Sequence, residues 1–550
     1  MKIWGAALAV LLAAAAVLAA CGGGSGGTAG SGAGGSGASS GSSSAGSGGS
    51  GSGGGGGSSA QQTPEPEPLK LKIWMAVEGA QLNYYSNLAE APIAKELMRR
   101  TGVELEFIHP PSGQEKEQFN IMVAANDLPD VVVGYFDGYK GGPGQAIKDG
   151  LIIDPTDLLE EHAPNLMRIL EADPDIGKLM KNDEGQFIGF GARISNDVAR
   201  GQGLAYAGPL IRKDLLDKIG LSIPETVDEW YTVLKALKEA FPDLEAPLGW
   251  SDMSNTAHFL ASAYNVPAKN FYVENGEVKY ANIQPNYKEF LATMHQWYKE
   301  GLIHKDFATH EYTDYALPMF QNGKFAAAPM HLYWYGVIAP DLPPDWELAA
   351  APLPVLYKGQ HLNFRADSGW GVRMQDTKYI TTRNKDPERT IEFFDYLFSD
   401  EGKLLTNWGL EGESYQMVNG QPEFTEAYKA DIARMGYLYT PNVLKQRVDH
   451  RMNLMQYPLP LQQEAFALWS SQADTSMMLP PGISFTAEEQ AENTKIMTDV
   501  NTYSDEMYLK FIMGVEPLDK FDEYVKRVEA FGIGKVLANY NAALQRLQNR

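Results

Sequence analysis

The chain has 550 residues, with 46 Lys and Arg against 69 Asp and Glu, giving a formal net charge of −23. That length exceeds one small module, a hydrophobic content of 44% excludes wholesale disorder, and the acidity argues against a nucleic-acid binder, whose affinity comes from clustered Lys and Arg. A single Cys excludes a disulfide framework and a multi-thiolate zinc site.

Lys2 is followed by an uncharged apolar or small run from Ile3 to Ala20, which ends in small residues as a cleavable signal does. The stop, Leu18-Ala19-Ala20-Cys21, resembles a bacterial lipobox, in which the Cys becomes the lipidated N-terminus. Lipidation is therefore predicted at Cys21, the one Cys of the sequence. From Gly22 to Ala60, 33 of 39 positions are Gly or Ser. Such a stretch cannot offset its ordering entropy by apolar burial. It is predicted to be a flexible tether with a reach of roughly 30–40 Å, stiffened at its end by Pro64, Pro66 and Pro68.

Leu69 to Met75 alternates apolar and polar residues and predicts a strand. Ile93, Leu97 and Met98 lie on a helical stripe stopped at Gly102, and Val103 to Phe107 alternates again. A second stripe carries Phe119, Met122 and Val123, and Val131-Val132-Val133 reads as a strand buried on both faces. This β-α-β-α-β order predicts a parallel sheet with right-handed crossovers. Ligands of such sheets sit beyond the carboxyl ends of the strands. Here those turns are Trp74 to Glu78 and Gly134-Tyr135-Phe136-Asp137, with aromatics beside a carboxylate and no Gly-rich phosphate cradle.

A second α/β lobe is predicted to follow. Thr226 and Glu229 form a capping box for a helix bearing Trp230, Val233, Leu234 and Leu237. Pro247 to Trp250 reads as a strand end, and Tyr287, Phe290, Leu291, Met294 and Trp297 stripe a helix stopped at Gly301. Lys324 to Met330 predicts a strand leading into His331 to Tyr335, and Asp386-Pro387 caps a helix with Ile391, Phe394 and Leu397. The C-terminal section is predicted helical, opening with a second capping box at Thr486 and Glu489.

Several stretches resemble the family 1 extracellular solute-binding proteins, especially their large lipoprotein branch in Gram-positive bacteria. Leu210 to Trp230 is similar to that family's R-K-D-W-L-D-K-L-G-L…P-T-x-x-E segment, and Trp297 to Ile303 to its Y-x-x-G-L-I turn. Phe320 to Lys324 followed by Trp334 resembles F-x-x-G-K-x-A-M…W, and Phe393 to Gly402 resembles F-F-x-Y-L-x-S-x-E-G. Trp408 to Gly412 with Tyr415, and Phe511 to Gly514 with Pro517 to Asp519, match the same branch.

The resemblance implies an α/β, two-lobed periplasmic-binding-protein-like fold with hinge crossovers and a helical C-terminal section. It places the crossings at 192–208 and near 365–371. The expected organisation is a signal peptide (1–20), a lipidated Cys with its tether (21–68), a first lobe (69–195 and about 366–425) and a second (196–365 and about 426–550). The implied function is capture of a carbohydrate, an oligosaccharide, between the lobes and its delivery to an ABC permease. The protein is expected to be a monomer anchored by lipid to the outer face of the membrane. No cofactor is expected. Some large oligosaccharide-binding relatives carry an EF-hand-like calcium loop in the first lobe. The nearest segment here, Lys181 to Gly185, would put Met180 at loop position one and Gly191 at position twelve, where oxygen donors belong, so no metal site is expected.

Sugars offer apolar C–H faces to aromatic rings and hydroxyls to carboxylates and Arg. Trp334, which matches a family position that often faces the sugar, heads the candidate contacts, followed by Trp74, Trp370, Trp250 and Tyr135. Glu78, Arg365 and Asp367 are the polar candidates, whereas Asp137 reads as a solvated loop charge and His331 as a residue satisfied within the core. Trp230 and Trp297 lie on helix stripes and are predicted core, and Trp408 and Tyr415 brace a lobe. An enzyme needs a constellation, and none is legible: His310 to Asp314 fails the zinc-protease pattern, and there is no G-x-S-x-G elbow or P-loop. A surface polysaccharide-degrading enzyme using two carboxylates, or a sensory or adhesive lipoprotein, are the alternative readings.

Overall fold

Alternation in β1 (Lys70–Trp74) buries Leu71 and Ile73 and leaves Lys70 and Lys72 in water. The computed structural model describes residues 67–77, 79–191, 193–195, 204–249, 256–267, 270–309, 315–364 and 372–550. After β1, helix α1 (Pro92–Thr101) starts on Pro92 and buries Ile93, Ala94 and Leu97. It stops at Gly102, whose left-handed φ of 68° lets its N–H donate to Met98 O. Strand β2 (Glu104–Ile108) follows, then α2 (Glu115–Ala125) with Phe119 inward, the fully buried β3 (Val131–Val133), and α3 (Gly142–Lys148). Both β2 and β3 run parallel to β1, one on each side, as the alternation predicts.

The chain then passes through the short strand β4 (Arg193–Ile194) to β5 (Ala207–Arg212), buried at every position. Helix α4 (Val227–Ala240) opens with the predicted capping box: Thr226 Oγ1 accepts from the Glu229 N–H at 3.2 Å, and the Glu229 carboxylate accepts from the Thr226 N–H at 3.1 Å. Helix α5 (Pro285–Lys299) buries Tyr287, Phe290, Leu291, Met294 and Trp297, the stripe read from sequence. Strand β6 (Ala327–His331) runs straight into α6 (Leu332–Ile338), and β7 (Leu348–Ala350) follows. Strand β5 lies between β6 and β7, antiparallel to both, with Leu210 opposite Ala328 and Ala350. The second sheet is thus antiparallel throughout, whereas β1, β2 and β3 of the first run parallel.

The return runs through β8 (Val372–Arg373) to β9 (Lys378–Ile380), which adds to the outer side of β3 in antiparallel register. Strands β4 and β8 pair with each other, Val372 opposite Ile194. The predicted crossings themselves fall largely outside the described residues; β4 and β8 are their described flanks. A third segment joins them: the Ile194 N–H donates to Gln446 O at 2.7 Å, and the Val448 N–H donates to Ile194 O at 2.8 Å. Beneath this crossing lie two buried ammoniums. Lys378 donates to the Gln446 side-chain oxygen, with the Gln446 amide oriented so that its nitrogen donates to Gly191 O, and Lys445 donates to Asn442 Oδ1 at 3.1 Å. Burial pushes Lys378 down to about 8 and Lys445 down to about 7.

Helix α7 (Pro387–Tyr396) lays Ile391, Phe393 and Phe394 on the first core, which also takes Leu444 and Leu547. Helix α8 (Pro460–Ser471) sets the Trp469 indole flat on β5 at Gly208, where any Cβ would collide with the ring, and Trp469 Nε1 donates to Ala351 O at 2.9 Å. The 27-residue α9 (Ala487–Met513) begins on the predicted Thr486–Glu489 box and buries Val500, Met507, Phe511 and Ile512 in the core of the second lobe. Helices α10 (Phe521–Phe531) and α11 (Ile533–Gln548) complete the C-terminal section. Asp519 lies in a 3₁₀ turn just before α10, whose N-cap is Lys520.

Candidate functional site

At the carboxyl end of β3, Gly134 takes a φ of 81° and turns the chain into a 3₁₀ turn over Tyr135–Gly138. A residue with a Cβ is strained in that conformation. The turn sets half-buried Tyr135 edge-on to Trp74, ring centroids 4.7 Å apart, with Phe119 beside both. Two residues on, Asp137 Oδ1 accepts a hydrogen bond from the Tyr379 hydroxyl on β9. Asp137 reaches solvent but sits within a concavity. Desolvation there pushes its carboxyl up to about 6, against the lowering pull of the Tyr379 hydroxyl. A perturbed acid in a cleft marks a functional candidate.

That concavity is a cavity of about 630 Å³, within the range of small-molecule sites. Asp137, Gln145 and Asn182 line it from the first lobe, Met374 from the return crossing, and Phe485 and Thr486 from the start of α9. Its walls are held by local pairs: Gln145 donates to Asp149 at 2.8 Å, Tyr139 donates to the other Asp149 oxygen at 2.7 Å, and Lys148 pairs with Glu184 at 2.6 Å.

The second lobe presents rings at the end of β6. His331 Nδ1 accepts from the Tyr333 N–H at 3.1 Å and so caps α6. This fixes Tyr333, Trp334 and Tyr335, all half-buried, on the first turn of that helix. Trp334 and Tyr333 meet edge to face at 5.1 Å, and Tyr206 lies over the His331 ring at 6.4 Å. Desolvation raises the Tyr335 hydroxyl, which stays protonated and able to donate. The set supplies flat apolar area next to hydroxyls, suited to a guest that is apolar on its faces and polar on its rim.

The structure therefore brings Tyr135 to the end of the first sheet and Trp334 to the end of the second. Trp74 is only 4% exposed and packs with Phe119, Val132 and Phe136, so it supports Tyr135 from behind and does not itself face solvent. Trp250, Trp370, Glu78, Arg365, Asp367 and Cys21 lie outside the described residues. Trp230 and Trp297 are core, as read from their stripes, and Trp408 and Tyr415 are buried together in a small cluster. Asp137 is solvent-exposed, in keeping with its reading as a loop charge, and it also takes a partner that the reading did not include: Tyr379 reaches it from a strand 242 residues away. Nothing local in the sequence marks Tyr206 or Tyr379: each sits beside or within a short strand whose partners come from distant sequence. Among the described residues no group of three His, Cys, Asp or Glu is placed to hold a metal. No helix among them is long and apolar enough to cross a membrane.

The chain is similar to known proteins over most of its length. The fructooligosaccharide ABC transporter substrate-binding protein FusA of Streptococcus pneumoniae is 24% identical over 82% of this chain and 86% of its own. The polygalacturonan/rhamnogalacturonan-binding protein YtcQ of Bacillus subtilis is 22% identical over 86% of this chain and 91% of its own. Among solved structures, the alginate-binding protein AlgQ2, crystallised without calcium ion, superposes with a TM-score of 0.68 at 25% identity, covering 87% of this chain and 98% of that one. An EF-hand mutant of FusA superposes with a TM-score of 0.70 at 21% identity, over 87% and 99% of the two chains. Two sheets joined by paired crossing strands, with the match extending over residues 79–404, show that this chain belongs to the bacterial extracellular solute-binding protein family.

Proposed function

We propose that this protein captures an oligosaccharide between its two lobes, outside the membrane, and hands it unaltered to an ABC permease. The observation that carries the reading is the aromatic set Tyr206, Tyr333, Trp334 and Tyr335 at the end of β6, held half-exposed by the His331 cap. Rings so placed stack on sugar C–H faces, and their hydroxyls meet the sugar rim. Tyr135 and Asp137 supply a ring and a carboxylate at the end of the first sheet. The names of FusA, YtcQ and AlgQ2 support a carbohydrate ligand, since each specifies a polymeric or oligomeric saccharide. Of the candidates outside the described residues, Trp250, Trp370, Glu78, Arg365 and Asp367 are proposed to complete the contacts.

The β4–β8 pair and the 446–448 segment are proposed as the hinge on which the lobes close. Cys21 is proposed to carry the lipid, with the Gly/Ser stretch as its tether and the body held at the outer membrane face. The test is tryptophan fluorescence of the protein titrated with neutral and acidic oligosaccharides. Saturable 1:1 quenching or enhancement that Trp334→Ala removes supports the reading; absence of any saccharide response contradicts it.

A further inference from the structure

The loop at Lys181 to Gly185, where the family resemblance looks for a calcium ion, has its side chains committed elsewhere. Asn182 Oδ1 accepts from the Glu184 and Gln186 N–H groups, both at 3.0 Å, and Glu184 pairs with Lys148. Asp183 is shared by two guanidinium groups: Arg546 Nε donates to its Oδ2 at 2.5 Å, and Arg550 Nη2 donates to its Oδ1 at 2.5 Å. Calcium takes six to eight oxygens at once, whereas here the Asn182 and Asp183 oxygens are engaged within the protein and Glu184 is drawn to Lys148. The residues present do not fit the ion.

The Arg550 side chain is only 4% exposed, and oxygens surround its guanidinium. Nη1 donates to the carbonyls of Lys178, Lys181 and Gly482, the first at 3.3 Å and the last at 2.9 Å. Nη2 also donates to Ser484 Oγ at 2.5 Å, and Nε reaches Asp183 Oδ1 at 3.1 Å. Three carbonyls, a hydroxyl and a carboxylate surround this one buried positive charge. The delocalised planar guanidinium satisfies these oxygens where a divalent ion does not. Arg546 extends the junction by a two-point pair with Glu489 at 3.0 and 2.6 Å and by donation to Ser484 O at 3.0 Å.

We propose that the Arg550 guanidinium acts as a built-in cation in the oxygen cage of the 178–183 loop and the 482–484 segment, fastening the C-terminal section to the first lobe with no divalent ion. The cage is distinct from the aromatic set and does not depend on the identity of the ligand.

The experiment is thermal melting of the full chain, wild type and variants, in millimolar calcium chloride and in EDTA. The wild-type midpoint is expected to be the same in both. Arg550→Ala is expected to melt about 3–5 °C lower, because it strands the cage oxygens. Arg550→Lys is expected to recover only part of that loss, since an ammonium cannot span both sides of the cage. Should Arg550→Ala fail to fold, Asp183→Asn and the wild-type calcium titration still decide the matter. A calcium-dependent rise in the wild-type midpoint that Asp183→Asn abolishes, or an Arg550→Ala protein that melts with the wild type, overturns the proposal.

Discussion

Trp74 and Tyr135 meet at a right angle, ring centroids 4.7 Å apart, at the carboxyl ends of β1 and β3. One ring of the pair is buried and the other half-open, so the two separate by experiment. Trp74→Ala empties a core site and is expected to cost about 3–5 kcal/mol of stability. Tyr135→Ala is expected to leave the melting midpoint within a few degrees while weakening saccharide binding about tenfold. Denaturant unfolding and calorimetric titration of both variants check this. Equal loss of stability in both would mean that Tyr135 is core as well.

Asp137 is expected to give saccharide binding a pH dependence. Its carboxyl titrates near 3.8 in an unfolded chain and near 6 in the folded protein. Between these values the folded protein holds the extra proton, so the stabilising contribution is complete below about 4 and is lost as pH rises through 6. Once ionised, the group is a stronger acceptor for the O–H that a sugar hydroxyl donates. Affinity is therefore expected to rise between pH 5 and 7, and Asp137→Asn to flatten that rise and to bind about tenfold more weakly at neutral pH. Titrations across that window check it.

The two buried ammoniums under the crossing act in the opposite direction on stability. Lys378 and Lys445 titrate at about 8 and about 7 when folded and near 10.5 when unfolded. Above the unfolded value both states are neutral and no penalty is felt. As pH falls from there towards 7 the unfolded chain takes up protons that the folded protein refuses, so stability declines. Unfolding free energy is expected to increase from pH 7 to 9, and Lys445→Met to reduce the slope and stabilise the protein at pH 7 by about 1–3 kcal/mol. Denaturant midpoints at several pH values measure both.

Gly208 has no room for a side chain because the Trp469 indole covers it. Gly208→Ala is expected to destabilise by about 1–3 kcal/mol through overpacking. Trp469→Phe in the same background is expected to recover part of the loss, a coupling that a double-mutant cycle reads directly.

What was legible in the sequence was local. Alternation located β1 and β2, the Val131–Val133 run located β3, and both capping boxes formed with the hydrogen bonds their spacing implies. What was not legible was long-range. The three-residue β9 has no periodicity to detect and exists because β3 offers it an edge. For the same reason the Tyr379 hydroxyl beside Asp137 has no local signal in the sequence. Gln446, which closes the crossing, and Arg550, which meets Asp183 across 367 residues, likewise acquire partners only on folding. Trp74 shows the converse: its position at a strand end was correct, yet the neighbouring turn covers it with Tyr135.

Capture without chemistry is tested most directly by calorimetric titration of the full chain with a panel of oligosaccharides, followed by mass analysis of the sugar recovered after long incubation. The expected result is one saccharide bound per chain, a binding heat that Trp334→Ala largely removes, and recovered sugar of unchanged mass. Shorter fragments accumulating with time, or no binding by any member of the panel, would contradict the account.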